Sequence, residues 1–336
     1  MTTSDIIVGL QYGDEGKGKV AHSLLGTGKY THCVRYNGGC NAGHTIYHKG
    51  KKFVTHHLPA GIFYGIKSII GPGCVLNPTK FFEELKNFEK TFGQPIDHLV
   101  KVASNVHVIT AEHLEEDGKD ETIGTTKSGN GPAYRDKYSR AGTRAADVAE
   151  LSDYVVDFYK EIYENKEEVN ILFEGAQGFG LDIDWGDYPY VTSSHCTSVG
   201  AVLNGVPLKS VRDVWGIAKA YETYVGKKNY QPDDKVFDII QEVGQEFGAT
   251  TGRVRQCNWM DMMLLTKSIN INGANKIVIN KMDVLDEIEE WGARIGEEVR
   301  TFDTRQEFMN FVGKYLEENV KHNIEEIYYS CSPQTL

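Results

Sequence analysis

Residues 5–19, DIIVGLQYGDEGKGK, are the stretch that decides the fold of this chain. The apolar run Ile6–Leu10 predicts a buried strand, and the loop that follows it contains Gly13, Gly16 and Gly18. Glycines let backbone N–H groups approach a polyphosphate closely, and a helix after such a loop directs its positive end at the same anion. Asp14 adds a carboxylate to the loop, so we expect it to hold a metal ion, to act as a base, or both. The stretch therefore predicts a nucleotide-binding loop that takes part in chemistry.

The composition is that of an ordinary globular protein: 336 residues, 40% of them hydrophobic and 25% charged. No apolar run approaches the roughly 20 residues of a membrane helix, and the N-terminus lacks the basic region of a signal peptide. The net charge of −11 argues against a broad nucleic-acid surface. Six scattered cysteines without a Cys-x-x-Cys pair predict reduced thiols and a cytoplasmic location. We expect neither a membrane nor a nucleic acid as a partner.

Strand-like and helix-like runs alternate along the chain. This alternation predicts an α/β fold, with one domain over residues 1–336 built around a large, mostly parallel central β-sheet flanked by helices. Strands are predicted at Ile6–Leu10, Cys33–Tyr36, Lys67–Ile70, Ile171–Glu174, Trp215–Lys219, Lys276–Asn280 and Ile327–Ser330. Helices are predicted at Pro78–Phe92, Ala145–Asn165, Asp233–Phe247, Met260–Ile269 and Thr304–Asn319. The charged stretch Glu112–Glu121 predicts a mobile surface excursion.

Two further motifs combine glycines with polar side chains. Residues 35–45 read RYNGGCNAGHT, which puts His44 on a glycine-hinged loop rather than on a helix face. Residues 123–144 read IGTTKSGNGPAYRDKYSRAGTR, where hydroxyls and glycines precede arginines. Because Arg matches phosphate geometry in a bidentate way, the second motif predicts a phosphate-binding loop.

Three more motifs follow in the second half of the chain. Residues 174–197, EGAQGFGLDIDWGDYPYVTSSHCT, present Gln177, whose amide offers a donor and an acceptor to a base or phosphate. Residues 247–261, FGATTGRVRQCNWMD, place two arginines after Thr-Thr-Gly, as in a loop that closes over a carboxylate. In VINKMD, the carboxylate of Asp283 could accept from both guanine N1–H and the 2-amino group, whereas adenine presents an acceptor at N1. The last motif therefore predicts guanine recognition.

These six motifs, in this order, resemble those of the adenylosuccinate synthetase family. QYGDEGKGK is similar to the family's QWGDEGKGK, with Tyr12 in place of Trp, and GGCNAGH fits its GGxNAGH. The resemblance extends to Ser330–Pro333, SCSP, which is similar to the base-capping STGP of the family. The compact length resembles that of archaeal and viral members.

The resemblance implies GTP-dependent joining of IMP and L-aspartate, in AMP biosynthesis, to give adenylosuccinate, GDP and phosphate through a 6-phosphoryl-IMP intermediate. It implies that Asp14 removes the N1 proton of IMP, that His44 stabilises charge on O6 and on the transferring phosphoryl group, and that Mg²⁺ is held by Asp14 and the Gly43 carbonyl. The implied GTP-binding residues are Gly13, Glu15, Gly16, Lys17, Gly18, Thr45, Lys281, Asp283 and Ser330. The implied IMP-binding residues are Asn41, Thr125, Thr126, Arg140, Arg144, Gln177, Thr192 and Arg253. The implied aspartate-binding residues are Thr250, Thr251, Arg253 and Arg255. A homodimer is also implied, in which Arg140 enters the neighbour's IMP site.

The sequence departs from the family pattern at several positions. Lys127 and Ser128 replace a Gly-Arg pair, Tyr224 stands where the family has Arg, Gln256 replaces an Arg, and Ser332 replaces a Gly. One alternative is therefore an enzyme of the same family that accepts dGMP, as certain phage homologues do. Asp14 favours IMP, because the best-known of those homologues have Ser at that position. A second alternative is a non-catalytic guanine-nucleotide switch, and a dinucleotide oxidoreductase is excluded because no Gly-x-Gly-x-x-Gly opens the first helix.

Overall fold

The computed structural model of the protein describes residues 2–121, 124–248 and 252–334. Within these ranges the strands are β1 Thr2–Gly9, β2 His32–Arg35, β3 His44–His48, β4 Lys51–Thr55, β5 Lys67–Ile70, β6 Val75–Leu76, β7 Val100–Ala103, β8 His107–Val108, β9 Val155–Val156, β10 Val169–Glu174, β11 Val211–Lys219, β12 Tyr221–Tyr224, β13 Gln256–Asp261, β14 Lys276–Asn280, β15 Trp291–Ile295, β16 Glu298–Phe302 and β17 Glu326–Tyr329. The helices are α1 Lys17–Leu25, α2 Pro78–Phe92, α3 Ala111–Gly118, α4 Asn130–Ser139, α5 Phe158–Tyr163, α6 Ser198–Val202, α7 Lys235–Gly244, α8 Met262–Asn272, α9 Met282–Ile288 and α10 Arg305–Asn319.

A nine-stranded sheet in the order β17-β14-β11-β1-β10-β2-β5-β7-β9 forms the centre of the molecule. Each neighbouring pair is parallel. Ser4–Gly9 of β1 are buried, as expected for a strand covered by other elements on both faces of a parallel sheet. The prediction of an α/β fold around a mostly parallel sheet is confirmed. Since the carboxyl ends of parallel strands share one edge, the loops after β1, β10, β11 and β14 come together there.

Smaller sheets extend this edge. A four-stranded sheet has the order β12-β13-β15-β16, and β3 pairs with β4 as an antiparallel hairpin. Only Ala220 separates β11 from β12, so one continuous segment leaves the central sheet and enters the smaller one. This segment carries Lys219 and Tyr221 from the central sheet toward the open edge.

The predicted strands agree with the structure to within a few residues at each end. The predicted helix Pro78–Phe92 is found with the same bounds, and the Asn77 side chain caps it by accepting from the Lys80 backbone N–H. The helix predicted to begin at Met260 instead begins at Met262, because Asp261 ends β13 and its side chain caps α8. One apolar cluster runs from Ile6 to Leu316; the single domain remains a prediction.

Two predictions were wrong. The stretch 145–165 is not one helix: it forms two 3₁₀ turns, the edge strand β9 and the short α5. Its backbone hydrogen-bonds to neighbouring segments instead, since Ala145 N–H donates to Val106 O and Val102 N–H donates to Tyr154 O. The stretch 112–121 is mainly the helix α3, whose first turn is closed by a capping box between Thr110 and His113.

Each of the six cysteines is free, and all of them lie in the described ranges. Among those same residues, no helix has the length and apolar character needed to cross a bilayer.

Candidate active site

The loop between β1 and α1 is built around a buried carboxylate. Glu15 is fully buried, and its Oε1 accepts from the backbone N–H groups of Gln11 at 3.2 Å and Gly13 at 2.8 Å. Its Oε2 accepts from Lys17 Nζ at 2.5 Å. A Cβ at Gly178 would lie 2.4 Å from Glu15 Oε1, so glycine there allows the loop after β10 to pack against this one. The side chain of Glu15 therefore shapes the loop from inside.

Gly13 and Asp14 both have left-handed backbone, with φ 90° at Gly13 and φ 61° at Asp14. Its carboxylate stays 28% exposed and faces the cavity described below. Oδ2 accepts from Arg255 Nε at 2.8 Å. Arg255 in turn donates through Nη1 to Glu246 Oε2 at 2.6 Å. The nucleotide loop is thus joined to the distant 252–255 segment by an ion pair.

His44 begins β3 and lies against the same loop. A Cβ at Gly18 would be 2.8 Å from His44 Cβ, so the glycine lets α1 pack closely on β3. His44 Nδ1 contacts Glu174 Oε1, and Arg35 Nη1 lies 3.0 Å from His44 Nε2. Arg35 and Glu174 are partners in the register of β2 and β10, which places them at the open edge.

Burial and the Arg35 charge determine the protonation of this group. Burial is the larger cause and Arg35 adds to it, so the pKa of His44 falls to about 4 despite the Glu174 carboxylate. Burial would raise the pKa of Glu174, but Arg35, His44 and the Ala60 N–H outweigh it and bring that pKa to about 2. At neutral pH the pair is a neutral imidazole donating from Nδ1–H to a carboxylate.

A single cavity of about 1040 Å³ collects most of the residues proposed from the sequence. Its lining includes Gly13, Asp14, Glu15, Gly16, Lys17, Gly18, Asn41, Gly43, His44, Thr45, Thr125, Thr126, Gln177, Thr192, Arg253, Arg255, Lys281 and Asp283. Ser330 is not part of this lining, but its hydroxyl accepts from Nζ of Lys19, a lining residue, at 2.7 Å. Arg140 and Arg144 are exposed and do not belong to the described lining of the cavity. Thr250 and Thr251 are outside the described residues.

One end of the cavity presents amide groups. Gln177 has φ 59° and donates through Nε2 to Asn41 Oδ1 at 3.2 Å. Its buried Oε1 has no hydrogen-bond partner in the described part of the chain. Asn130 Nδ2 also donates to Asn41 Oδ1, at 2.6 Å. This end therefore offers an unused acceptor to a heterocyclic base.

The opposite end lies at the carboxyl ends of β14 and β17. Lys281 caps α9 in left-handed backbone, and Asp283 is in the first turn of that helix. Lys281 Nζ donates to Gly244 O at 2.7 Å. Lys19 Nζ donates to the Ser332 carbonyl at 2.8 Å, and burial, the main cause, lowers the Lys19 pKa to about 8. Ser in place of Gly at position 332 changes only the side chain, so the backbone carbonyl can still accept from Lys19 Nζ.

Three other residues that depart from the family pattern can be located in the structure. Tyr224 is buried, and its ring packs edge-on against Tyr12 with centroids 5.7 Å apart. Ser128 is buried and Lys127 is exposed, and neither belongs to the described lining of the cavity.

Sequence reasoning missed Arg35, Glu174 and Glu246 as contributors. Arg35 lies in the motif at 35–45 and Glu174 in the motif at 174–197. Both stand at the ends of predicted parallel strands, and this position could have indicated that they belong to the site. Glu246 precedes its motif by one residue and meets its partners only through the tertiary fold.

The parallel sheet, the glycine-rich loop and a cavity of about 1040 Å³ lined by that loop are the features of a nucleotide-dependent α/β enzyme. The family model described as adenylosuccinate synthetase matches residues 6–152 and 148–307. The chain belongs to the adenylosuccinate synthetase family, and it is a ligase that forms a C–N bond.

Similar proteins include the adenylosuccinate synthetase of Chlorobium limicola, which is 38% identical over an alignment of 345 positions, gaps included; the alignment covers 86% of this chain and 78% of that protein. The Helicobacter acinonychis enzyme is 36% identical over an alignment of 356 positions, covering 89% and 84%. The fully ligated Plasmodium falciparum adenylosuccinate synthetase superimposes with a TM-score of 0.85 at 27% identity, covering 98% of this chain and 97% of that one. The succinoaminodeoxyadenylate synthetase of cyanophage S-2L, solved with dGMP and with dATP as energy donor, has a TM-score of 0.72 at 23% identity, covering 94% and 99%. That last likeness concerns the fold alone.

Proposed function

We propose that this cavity joins IMP and L-aspartate at the expense of GTP, giving adenylosuccinate, GDP and phosphate through 6-phosphoryl-IMP. One observation carries the proposal: Asp14 and His44 line one cavity together with the amides that follow β10 and β2 and with Lys281 and Asp283, which follow β14 on the other side of β1. The amide end would take the hypoxanthine, and the Asp283 end would take the guanine of GTP. Lys17, the first residue of α1 after the loop that follows β1, would neutralise the polyphosphate.

Asp14 would start the reaction by accepting the N1 proton of IMP, which makes O6 nucleophilic. O6 then attacks the γ-phosphorus of GTP and GDP leaves. In the second half, the neutral amine of L-aspartate attacks C6, the phosphate departs with the O6 oxygen, and the amine releases one proton to solvent. Thr250, Thr251, Arg253 and Arg255 are the residues proposed to hold the L-aspartate.

His44 would act as a cation. Because Nδ1–H is directed at Glu174, the neutral ring has no proton on Nε2 to donate to substrate. An arriving phosphoryl group brings negative charge, which favours uptake of a second proton from solvent. Nε2–H could then donate to the developing charge on O6.

The residues present fit Mg²⁺, the metal implied by the family. Asp14 supplies a carboxylate and Gly43 a carbonyl, both line the cavity, and Mg²⁺ takes oxygen ligands of this kind together with substrate phosphates. When bound there, the ion would offset charge on the phosphate oxygens. The proton transfers proposed above use only the chain's own side chains and solvent.

The proposed enzyme is a homodimer. Arg140 and Arg144 are exposed, and Arg140 ends α4 in left-handed backbone with φ 66°. Such residues could reach the IMP site of a second copy. Mixing an Arg140→Leu chain with an Asp14→Asn chain should restore activity if the sites are shared, and the absence of recovery would count against sharing. A cytoplasmic location also remains a prediction.

The test is to incubate the protein with GTP, Mg²⁺ and L-aspartate, offering IMP or dGMP in parallel and identifying products by mass. Adenylosuccinate from IMP alone is expected, and Asp14→Asn and His44→Ala should each nearly abolish its formation. Succinylated product from dGMP would favour the alternative substrate. GTP hydrolysis without either product would indicate a nucleotide switch and refute the proposal.

A further inference from the structure

Glu246 is a fully buried carboxylate one residue before the motif that contains Arg253 and Arg255. Its backbone holds the base of that loop, since the Arg255 N–H donates to Glu246 O at 3.0 Å and Gly248 N–H donates to Arg253 O at 2.8 Å. Its side chain contacts Arg255, one of the two arginines proposed to bind L-aspartate.

Three cations surround this carboxylate. Arg255 Nη1 lies 2.6 Å from Oε2, Lys219 Nζ lies 3.3 Å from each oxygen, and Lys281 Nζ lies 3.8 Å from Oε1. Tyr221 donates its hydroxyl to Oε1 at 2.6 Å. Although burial alone would raise the pKa of Glu246, these groups lower it to about 2, so the side chain is ionised at any working pH. The neighbouring Cys257 thiol stays neutral there, because burial and the Glu246 charge raise its pKa to about 12.

The partners of Glu246 belong to different parts of the cavity. Arg255 uses Nε for Asp14 and Nη1 for Glu246, and among the residues that the structure describes no hydrogen bond engages Nη2, which leaves that nitrogen for a substrate carboxylate. Lys281 stands beside Asp283, at the end proposed for guanine. One buried charge thus contacts the proposed aspartate arginine and the proposed guanine lysine at once, and it reaches the proposed base through Arg255.

We propose that Glu246 is a positioning residue for the ligase reaction, and that it fixes Arg255 between Asp14 and the carboxylate of L-aspartate while anchoring Lys281 at the guanine site. This inference rests on the proposed function. It has two consequences. Without the Glu246 charge, Arg255 loses its orientation toward L-aspartate, and Lys281 loses a charged partner at the guanine site.

Glu246→Gln keeps the shape and removes the charge. We expect the KM for L-aspartate to rise about tenfold or more, because a hydrogen bond to a charged group is lost. We expect the KM for GTP to rise as well, because Lys281 Nζ loses the carboxylate oxygen 3.8 Å away, whereas the KM for IMP should stay unchanged. Glu242→Gln is the matched control: it lies on α7, is exposed, and removes the same charge four residues away.

Wild-type turnover of IMP is measured first, with product identified by mass. If no product forms, the proposed function fails and the role of Glu246 fails with it. If the wild type is active and Glu246→Gln matches Glu242→Gln in KM for L-aspartate and in KM for GTP, the role of Glu246 alone is refuted. A lower kcat with both of these KM values unchanged would likewise refute it, because loss of folded enzyme gives that pattern.

Glu246→Asp keeps the test decisive if the Gln variant does not fold. It retains the charge but shortens the reach to Arg255. A raised KM for L-aspartate with an unchanged KM for IMP is expected, and an unchanged KM for L-aspartate would overturn the proposal.

Discussion

Replacing Glu174 by Gln removes a buried negative charge at the end of β10 and keeps the size of the side chain. Glu174 is fully buried, contacts His44, and lies 3.9 Å from Arg35 Nη1. Its Oε2 also accepts from the Ala60 N–H at 2.9 Å. The variant therefore leaves Arg35 buried without its counter-charge.

The size of the effect follows from the pKa of Glu174, which falls from 4.5 to about 2 in the folded protein. At about 1.4 kcal/mol per pH unit, the shift corresponds to roughly 3 kcal/mol of stability. A lowered carboxyl pKa stabilises the fold above pH 4.5, and this contribution is lost as the pH falls through about 2. At pH 7 the variant should lose about 3 kcal/mol, and leaving Arg35 unpaired is consistent with a loss of that size.

The same change should impair His44. The Gln amide can present its oxygen or its NH₂ group to Nδ1, so the imidazole is no longer held in one tautomer and no anion stabilises its protonated form. A loss of about 100-fold in kcat is expected, within the range for a positioned acid–base group.

Urea unfolding at pH 7, followed by circular dichroism, measures the first effect, and steady-state kinetics the second. Glu298→Gln is the control, because Glu298 is an exposed partner of Arg300 and should change neither quantity measurably. A change in the free energy of unfolding below about 1 kcal/mol would refute the stability argument. Wild-type kcat in Glu174→Gln would refute the role assigned to the His44 contact.

Three further outcomes are expected. Burial raises the pKa of Glu222 to about 7, so between pH 4.5 and 7 the folded protein holds a proton that the unfolded chain releases. The free energy of unfolding should therefore fall as the pH rises through that window. In thermal melts Glu222→Gln should lose this dependence of stability on pH, and an unchanged dependence would contradict the assignment. Asp5→Asn should lower the free energy of unfolding by about 2 kcal/mol, since Asp5 accepts from Tyr30 at 2.6 Å and pairs with Arg212 at 3.1 Å; a neutral result in urea unfolding would contradict this. Asp283→Asn should raise the KM for GTP at least tenfold while leaving that for IMP unchanged, because an amide cannot accept from two guanine donors as a carboxylate does; equal effects on both substrates would count against a guanine site.

Elements with strong local signals were predictable. Pro78–Phe92 carries its own cap in Asn77 and its own helical periodicity, and Lys67–Ile70 is a short apolar run, so both were found with their bounds. Ala145–Asn165 failed because its helical pattern competes with backbone hydrogen bonds to β7 and its flanks, which are distant in sequence. Glu112–Glu121 failed because its charges suggested exposure, whereas Asp117 is buried and accepts from the Gly129 N–H.

The residues of the candidate site also fall into two groups, those that a local sequence pattern identifies and those that only the tertiary fold brings to the site. Residues within a glycine-rich motif, such as Asp14 and His44, could be named from the sequence because the local backbone requirement marks them. Their partners Arg255 and Glu174 lie 241 and 130 residues further along the chain, and no local pattern specifies those pairings.

The sequence by itself determined the α/β class, the position of the phosphate loop and the family, because these depend on short-range periodicity and on glycines that only certain turns require. Only the tertiary structure decided that His44 is neutral at rest, that Asp14 is held by Arg255, and that Glu246 joins three cations. Those properties depend on burial and on charges brought within a few ångströms by the parallel sheet. Both arise only when strands far apart in sequence end at the same edge.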